Sequence, residues 1–429
     1  MKEAAVRPTL ELRAEKPVHG GTVLARQGEG EGGRVVFVHD ALPGELVRTE
    51  SLGRRGGAAF ARAVEVLEAS NDRVPAPCPH FGVCGGCQWQ HASYPAQLRI
   101  KREVVEEVWA RAGLRLPPDT PILGMEDPWR YRLRGEFEAA YRQGADGERA
   151  LVLGFHRMRS HAVIPIQTCP IHHERIERGL LAFGDAAREL GVRGLVNLHL
   201  TAEPGGPGLL WRVRYQRGDD GAQTPALIAA VAERLPDVVL LDDSMRYDVG
   251  DLQFRVRSDT FIQTNHRQTP VLYRAAMQML AARPDEHVLD LFCGIGTMTL
   301  TAARRAASVV GVEENPRAIR LAQLAARINE TPNVRFHAGR VEEVLPRIKV
   351  GSCEAAIVDP PRAGLERSAI GELLRLQPRR LVYVSCEPST HVRDIGLFLN
   401  GGYRVRRAAL VDMFPHTYHV ESVALLERA

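Results

Sequence analysis

The chain has 429 residues, 45% of them apolar and 25% charged, and carries a formal net charge of +4. That length allows two to four domains and that composition fills several cores, so a disordered or fibrous protein is excluded. No apolar run reaches the ~18–20 residues of a membrane span, and the first ten residues lack the apolar stretch of a secretory leader, so a cytoplasmic protein without a membrane partner is expected.

Residues 1 to about 70 read as short strands: Thr9 to Arg13, Thr22 to Arg26, Arg34 to Val38, Glu45 to Glu50 and Phe60 to Leu67. Gly20-Gly21, the glycine-rich stretch Gly28 to Gly33 and Leu42-Pro43-Gly44 punctuate them, which is the pattern of a small barrel. Such barrels serve as oligonucleotide binders or as plain scaffolds. Cys78, Cys84 and Cys87 follow at C-x5-C-x2-C spacing in a Pro/Gly loop, so three thiolates can converge on one point. A tetrahedral zinc or a four-cysteine cluster needs a fourth ligand, and spacing alone does not choose between the two metals. Cys169 is the free cysteine nearest in sequence, with His80, His91, His172 and His173 as weaker donors. The seven cysteines form an odd set, which speaks for thiols, metal ligands or catalysis over a disulfide framework.

Tyr94 to Leu116 has apolar residues at helical spacing, and Trp129 to Ile166 alternates like an antiparallel sheet with a hairpin at 143–147. Seven arginines (130, 132, 134, 142, 149, 157, 159) interleave there with Tyr131, Phe137, Tyr141 and Phe155, a mixture suited to phosphate contacts and base stacking. Strands at Leu195 to Thr201 and Leu209 to Arg217, with helices at Thr224 to Leu235 and Thr269 to Ala282, lead to a regular βαβα alternation. Its strands fall at His287–Leu291, Ser308–Val312, Asn333–His337, Ala355–Val358 and Arg380–Val384, and a terminal pair, Tyr403–Val411 and His419–Leu426, closes it. A parallel sheet finished by a hairpin is the expected core.

The chain is organised around Val288 to Leu300: an apolar strand holding Asp290, then Phe292-Cys293-Gly294-Ile295-Gly296, then a helix. This is the first βα unit of a nucleotide-binding sheet, where glycines admit a ligand close to the backbone. Thr299 stands where the third glycine of a dinucleotide turn belongs, which favours S-adenosylmethionine, with no pyrophosphate, over NAD. Glu313, closing the next strand, is placed to hold ribose hydroxyls. Asp359-Pro360-Pro361-Arg362, Ser385-Cys386-Glu387-Pro388 and His419-Val420-Glu421 also lie at strand ends, where open sheets bind ligands. A thiol facing a methyl donor suggests covalent catalysis. Pyrimidine C5 is a poor nucleophile until a thiolate adds to C6, and a base must then remove the C5 proton. Cys386 and Glu421 are the natural pair, with Asp359 beside them.

In these motifs, and in Phe261-Ile262-Gln263-Thr264-Asn265 and Met413 to Glu421, the sequence resembles the iron–sulfur-containing RNA 5-methyluridine methyltransferases, which modify ribosomal or transfer RNA. The resemblance implies a Rossmann-like class I S-adenosylmethionine-dependent methyltransferase domain, a TRAM/OB-like N-terminal β-barrel and a central α+β iron–sulfur domain. The implied boundaries are 1–70 for the barrel, 71–90 and 121–255 for the central domain, and 91–120 and 256–429 for the methyltransferase. It further implies a [4Fe-4S] cluster on Cys78, Cys84, Cys87 and Cys169, with zinc as the alternative. Gln263, Asp290, Phe292, Gly294, Gly296, Glu313 and Asp359 would bind the cofactor, with Cys386 as nucleophile and Glu421 as base. A monomer acting on RNA is expected. Alternatives are 5-methylcytidine transfer, disfavoured by Arg362 directly after Pro-Pro, and a non-catalytic RNA-binding factor, disfavoured by the intact Cys386, Asp359 and Glu421. Three departures stand out: Thr297 and Arg340 at cofactor positions, and Glu387, a carboxylate that would raise the thiol pKa unless it points away.

Overall fold

A computed structural model describes residues 9–28, 33–143, 149–219, 221–347 and 353–429. The glycine-rich loop after Gly28 and the hairpin turn after Gln143 fall mostly outside them. The chain forms two compact units: Met1–Glu107 with Arg157–Ser160 and Phe414–His419, and Val108–His156 with His161–Met413 and Val420–Ala429.

In the first unit β1 (Thr9–Val18), β2 (Thr22–Gln27), β3 (Arg34–His39), β4 (Leu46–Arg55) and β5 (Ala58–Glu68) close into a barrel in the order β1-β2-β3-β5-β4. Period-two alternation sends Leu12, Ala14, Val23, Ala25, Val36, Val38 and Val47 inward, and Trp89, Ala92, Ala96 and Ile100 extend that core. The last three lead into and line α1 (Tyr94–Arg111), which stops short of the expected Leu116 because Gly113 turns the chain at φ +73°. The loop 157–160 places Arg159 over the Phe60 ring, 4.9 Å from its centroid.

The second unit opens with β6 (Ile122–Leu123), β7 (Arg134–Gln143), β8 (Arg149–His156), β9 (Val163–Pro165), α2 (Glu174–Glu189), β10 (Leu195–Ala202), β11 (Gly208–Tyr215), α3 (Thr224–Arg234) and β12 (Val239–Leu241). Apart from β6, these strands form a six-stranded sheet, β12-β11-β10-β7-β8-β9. The aromatics and arginines of the expected nucleic-acid face divide between core and surface. Tyr131 and Phe137 are 1% and 0% exposed, and Phe137 stacks on Phe155 in the core. Arg134 donates to the Thr260 carbonyl at 2.8 Å, Arg142 to that of Val163, and Arg130 pairs with Glu177. Tyr131 and Phe137 thus serve the core, while Arg130 and Arg142 remain exposed to solvent.

A two-stranded hairpin, β13 (Ser244–Val249) and β14 (Leu252–Arg257), precedes α4 (Thr269–Leu280). Then come β15 (His287–Leu291), α5 (Thr297–Ala303), β16 (Ser308–Glu313), α6 (Pro316–Ile328), β17 (Val334–Ala338), α7 (Val341–Val344), β18 (Ala355–Val358), α8 (Arg367–Leu376), β19 (Arg380–Ser385), α9 (Pro388–Asn400), β20 (Tyr403–Val411) and β21 (Glu421–Arg428). The eight-stranded sheet runs β17-β16-β15-β18-β19-β21-β20-β6. Its first five strands are parallel, and β21 inserts antiparallel between β19 and β20. All four residues of β18 are buried, as a strand covered on both faces requires. No helix among the described residues is long and apolar enough to cross a membrane.

Candidate active site

The site forms at the carboxyl ends of β15, β16, β18 and β19, where the order of a doubly wound sheet leaves a crevice. At the end of β15, Phe292 takes a left-handed φ of +63°, a cost of about 1–3 kcal/mol for a non-glycine residue and a mark of a functional turn. Gly294 has φ +54° and no atom within 4 Å of a would-be Cβ, so its backbone faces open space fit for a ligand. Gly296 has a packing reason to be glycine as well. A Cβ there would sit 3.1 Å from Ala322 and Phe336, so this glycine serves helix–strand packing. Gly311 does the same, since its Cβ would meet Phe336 at 2.7 Å and the Cys293 thiol at 3.0 Å.

Glu313 accepts hydrogen bonds from the amides of Gly294 at 3.2 Å and Asn315 at 2.9 Å, which ties the end of β16 to the glycine turn. Asp290 is fully buried, accepts from the Thr299 hydroxyl at 2.5 Å, and keeps Oδ1 without a partner among the described residues. Burial pushes its carboxyl up to about 7 against the Thr299 hydrogen bond, with Glu313 adding to the rise. Thr299, the residue in place of the third glycine, is thus the partner of the strand carboxylate. Thr297, one of the departures, shares a 2.9 Å hydrogen bond with the Tyr273 hydroxyl from α4. Gln263 is 7% exposed, and Phe261, two residues earlier, is 70% exposed, the most exposed large apolar side chain among the described residues. Arg340 caps α7 and pairs with Glu342.

The register of β19 and β21 sets Ser385 opposite Ser422. Cys386 follows Ser385 directly and Glu421 precedes Ser422 directly, so the end of that ladder brings thiol and carboxyl near enough for the charge of Glu421 to act on the thiol. Burial first, then Glu421 and Asp359, push the Cys386 thiol up to about 11 against the opposing Arg362. Glu421 is 4% exposed, and burial lifts it to about 8 with help from Asp359 and against Arg362. Burial and Asp290 lift Asp359 to about 7. Cys386, Glu421, Asp359 and Arg362 thus feel one another's charge, so the residues singled out from three separate stretches share one site. Arg362 was read only as part of a motif. Its role as the cation facing thiol and base is tertiary and invisible in spacing.

Glu387 turns away from the thiol. It caps α9, accepting from the Ser389 amide at 3.3 Å, and is absent from the groups that shift Cys386. Helix α9 also holds the loop after β18: Thr390 donates to the Arg362 carbonyl at 3.0 Å, Arg393 to that of Ala363 at 2.9 Å, and Asp394 accepts from the Leu365 amide at 2.8 Å.

Cys78, Cys84, Cys87 and Cys169 are all half-buried, and none is in a disulfide. The first three lie in the first unit and Cys169 in the second. Burial raises the Cys84 thiol, and the neighbouring Cys78 adds to the rise. Four thiols are the right donor chemistry for an iron–sulfur cluster or zinc. Among the described residues, however, no three His, Cys, Asp or Glu side chains converge closely enough to hold a metal.

A sequence model of the tRNA (Uracil-5-)-methyltransferase family matches residues 237–429. An uncharacterized RNA methyltransferase of Halalkalibacterium halodurans is 36% identical over 97% of this chain and 96% of its own length. One from Gloeobacter violaceus is 33% identical over 95% of each. Among solved structures, the tRNA (uracil-54, C5)-methyltransferase of Pyrococcus abyssi, in complex with S-adenosyl-L-homocysteine, shares the fold. Its TM-score is 0.74 at 21% identity, covering 97% of this chain and 100% of that one. The chain belongs to the RNA methyltransferase family of these relatives, and its residues 237–429 match the tRNA (Uracil-5-)-methyltransferase model.

Proposed function

We propose that this enzyme transfers the methyl group of S-adenosylmethionine to C5 of a uridine in ribosomal or transfer RNA through a covalent adduct on Cys386. The observation that carries this reading is a thiol just past the end of β19 that feels the charges of two carboxyls, Glu421 and Asp359, and of the Arg362 guanidinium. The cofactor would lie over Gly294, with Glu313 toward its ribose and Gln263, Asp290, Phe292 and Asp359 around it.

The thiol passes its proton to Asp359, which titrates near neutrality. The thiolate adds to C6, and the C5=C6 π electrons move onto the ring as an enolate. C5 then takes the methyl from the sulfonium, whose C–S bond breaks to release the neutral sulfide. Glu421, in its ionised carboxylate form, removes the C5 proton, the C6–S bond breaks, and the double bond returns with expulsion of the thiolate. Arg362 offsets the accumulating negative charge. The experiment is incubation with 5-fluorouridine RNA and S-adenosylmethionine. A denaturation-stable protein–RNA adduct is expected, because fluorine cannot leave as a proton does. Absence of that adduct, or its persistence in Cys386→Ala, overturns the mechanism.

A [4Fe-4S] cluster on Cys78, Cys84, Cys87 and Cys169 is a separate proposal, supported by the four-thiol donor set. No step of methyl transfer passes through it. Anaerobically purified protein should be brown, with broad absorption near ~400 nm and iron and sulfide in cluster ratio. Colourless protein with one zinc per chain overturns it. The barrel, with Arg159 over Phe60, is proposed as an RNA-binding module.

A further inference from the structure

We propose that Ser422 and His391 are positioning residues that hold Glu421 at the C5 proton, acting on release of the product rather than on attack by the thiol. This rests on the covalent mechanism above.

Beside Cys386 and Glu421, at the end of the β19–β21 ladder, Ser385 pairs with Ser422. The Ser422 hydroxyl lies 3.3 Å from the Ser385 carbonyl and 2.7 Å from Nδ1 of His391 in α9. One hydroxyl therefore joins three elements: the strand end that carries the nucleophile, the strand start that carries the base, and the helix that grips the loop of Asp359 and Arg362. Ser422 and His391 are 2% and 0% exposed. The imidazole lies edge-on to Tyr383 and Trp109, at centroid distances of 4.7 and 6.1 Å, and its Nε2 has no partner among the described residues. Burial keeps the ring neutral. A buried polar side chain with half its hydrogen-bonding capacity unused carries a cost. The single bond it does make goes to the residue adjoining the base.

The consequence is asymmetric. Cys386 lies one residue beyond β19, in a turn that the Ser385 hydroxyl closes onto the Glu387 backbone carbonyl and amide at 3.2 Å without help from Ser422. Glu421 is the first residue of its strand, with the loop 412–420 before it. Proton abstraction from carbon tolerates little misplacement, and a shift near 1 Å costs about 100-fold. Loss of the Ser422 hydrogen bonds loosens the base first.

The test is single-turnover reaction of the full-length enzyme with natural-uridine RNA, following adduct formation and adduct breakdown separately. Ser422→Ala and His391→Leu should slow breakdown at least ~10-fold while formation stays within about twofold, so that methylated adduct accumulates. Ser422→Thr, which retains the hydroxyl, should restore breakdown. The double variant should be no slower than the worse single one, because the two act as a unit. Equal loss of formation and breakdown, or no change in either, overturns the inference. If Ser422→Ala does not fold, His391→Leu, altered on a different element, decides by the same ratio. Failure of the wild type to trap 5-fluorouridine RNA is a different outcome: it removes the covalent mechanism itself.

Discussion

Glu421 offers a quantitative test of the site's electrostatics. Its carboxyl is lifted from 4.5 to about 8, chiefly by burial. Below pH 4.5 the group is protonated in folded and unfolded chains alike and titrates without effect. Between 4.5 and 8 the unfolded chain gives up the proton while the folded one keeps it, so stability falls as pH rises. Above 8 the loss is complete. At ~1.4 kcal/mol per unit the ceiling is about 5 kcal/mol. Asp359 and Arg362 act in opposite directions on this group, and Asp290 and Asp359 titrate alongside it. Glu421→Gln keeps the shape and removes the titration. In urea unfolding of cofactor-free protein, the variant should match wild type near pH 5 and exceed it by roughly 2–5 kcal/mol near pH 9. Parallel curves from pH 5 to 9 would refute the reasoning, because the base would then ionise as freely in the fold as in water.

Cys386→Ser should abolish turnover while leaving cofactor binding within about twofold, read by calorimetry, since the thiol supplies the bond to C6 and no cofactor contact. Arg362→Ala removes the cation that lowers both Cys386 and Glu421, so the pH at which adduct formation becomes fast should move upward. Gly296→Ala, at φ +83° and 3.1 Å from Ala322, should cost about 1–3 kcal/mol in unfolding and weaken cofactor binding with it. Phe261→Ala should weaken RNA binding by about 1–3 kcal/mol without lowering stability, as loss of one stacked base does.

The parallel half of the fold was legible because each of its strands is an apolar run bounded by helix and turn signals, as Ala355–Val358 shows. Strand β21 was placed two residues early. His419 lies in a segment whose backbone is committed to the first unit: the amides of Gln88 and Trp89 donate to the His416 carbonyl at 2.9 Å, and Gln97 accepts from the His416 amide at 2.8 Å. Such bonds between residues more than 300 apart leave no periodic trace. The aromatics of the arginine-rich sheet were harder to read for the opposite reason: composition does not tell which face of a strand is buried, and Phe137 lies on the buried one. In the site, position after a strand gave Asp359 and Cys386, and the last hairpin gave Glu421. The doubt over Glu387 dissolved because a carboxylate one residue before Pro388 is better satisfied as a helix cap. His391 and Ser422 had no signal, since their importance is a single contact between a helix and a strand.

One consequence follows from a sulfhydryl held at about 11. Peroxide and electrophilic metabolites attack the ionised form of sulfur, and at neutral pH the resting enzyme offers roughly one part in 10,000 of it. Cys386 should therefore outlast ordinary surface cysteines under oxidative stress, and damage should concentrate on molecules caught with RNA already in place.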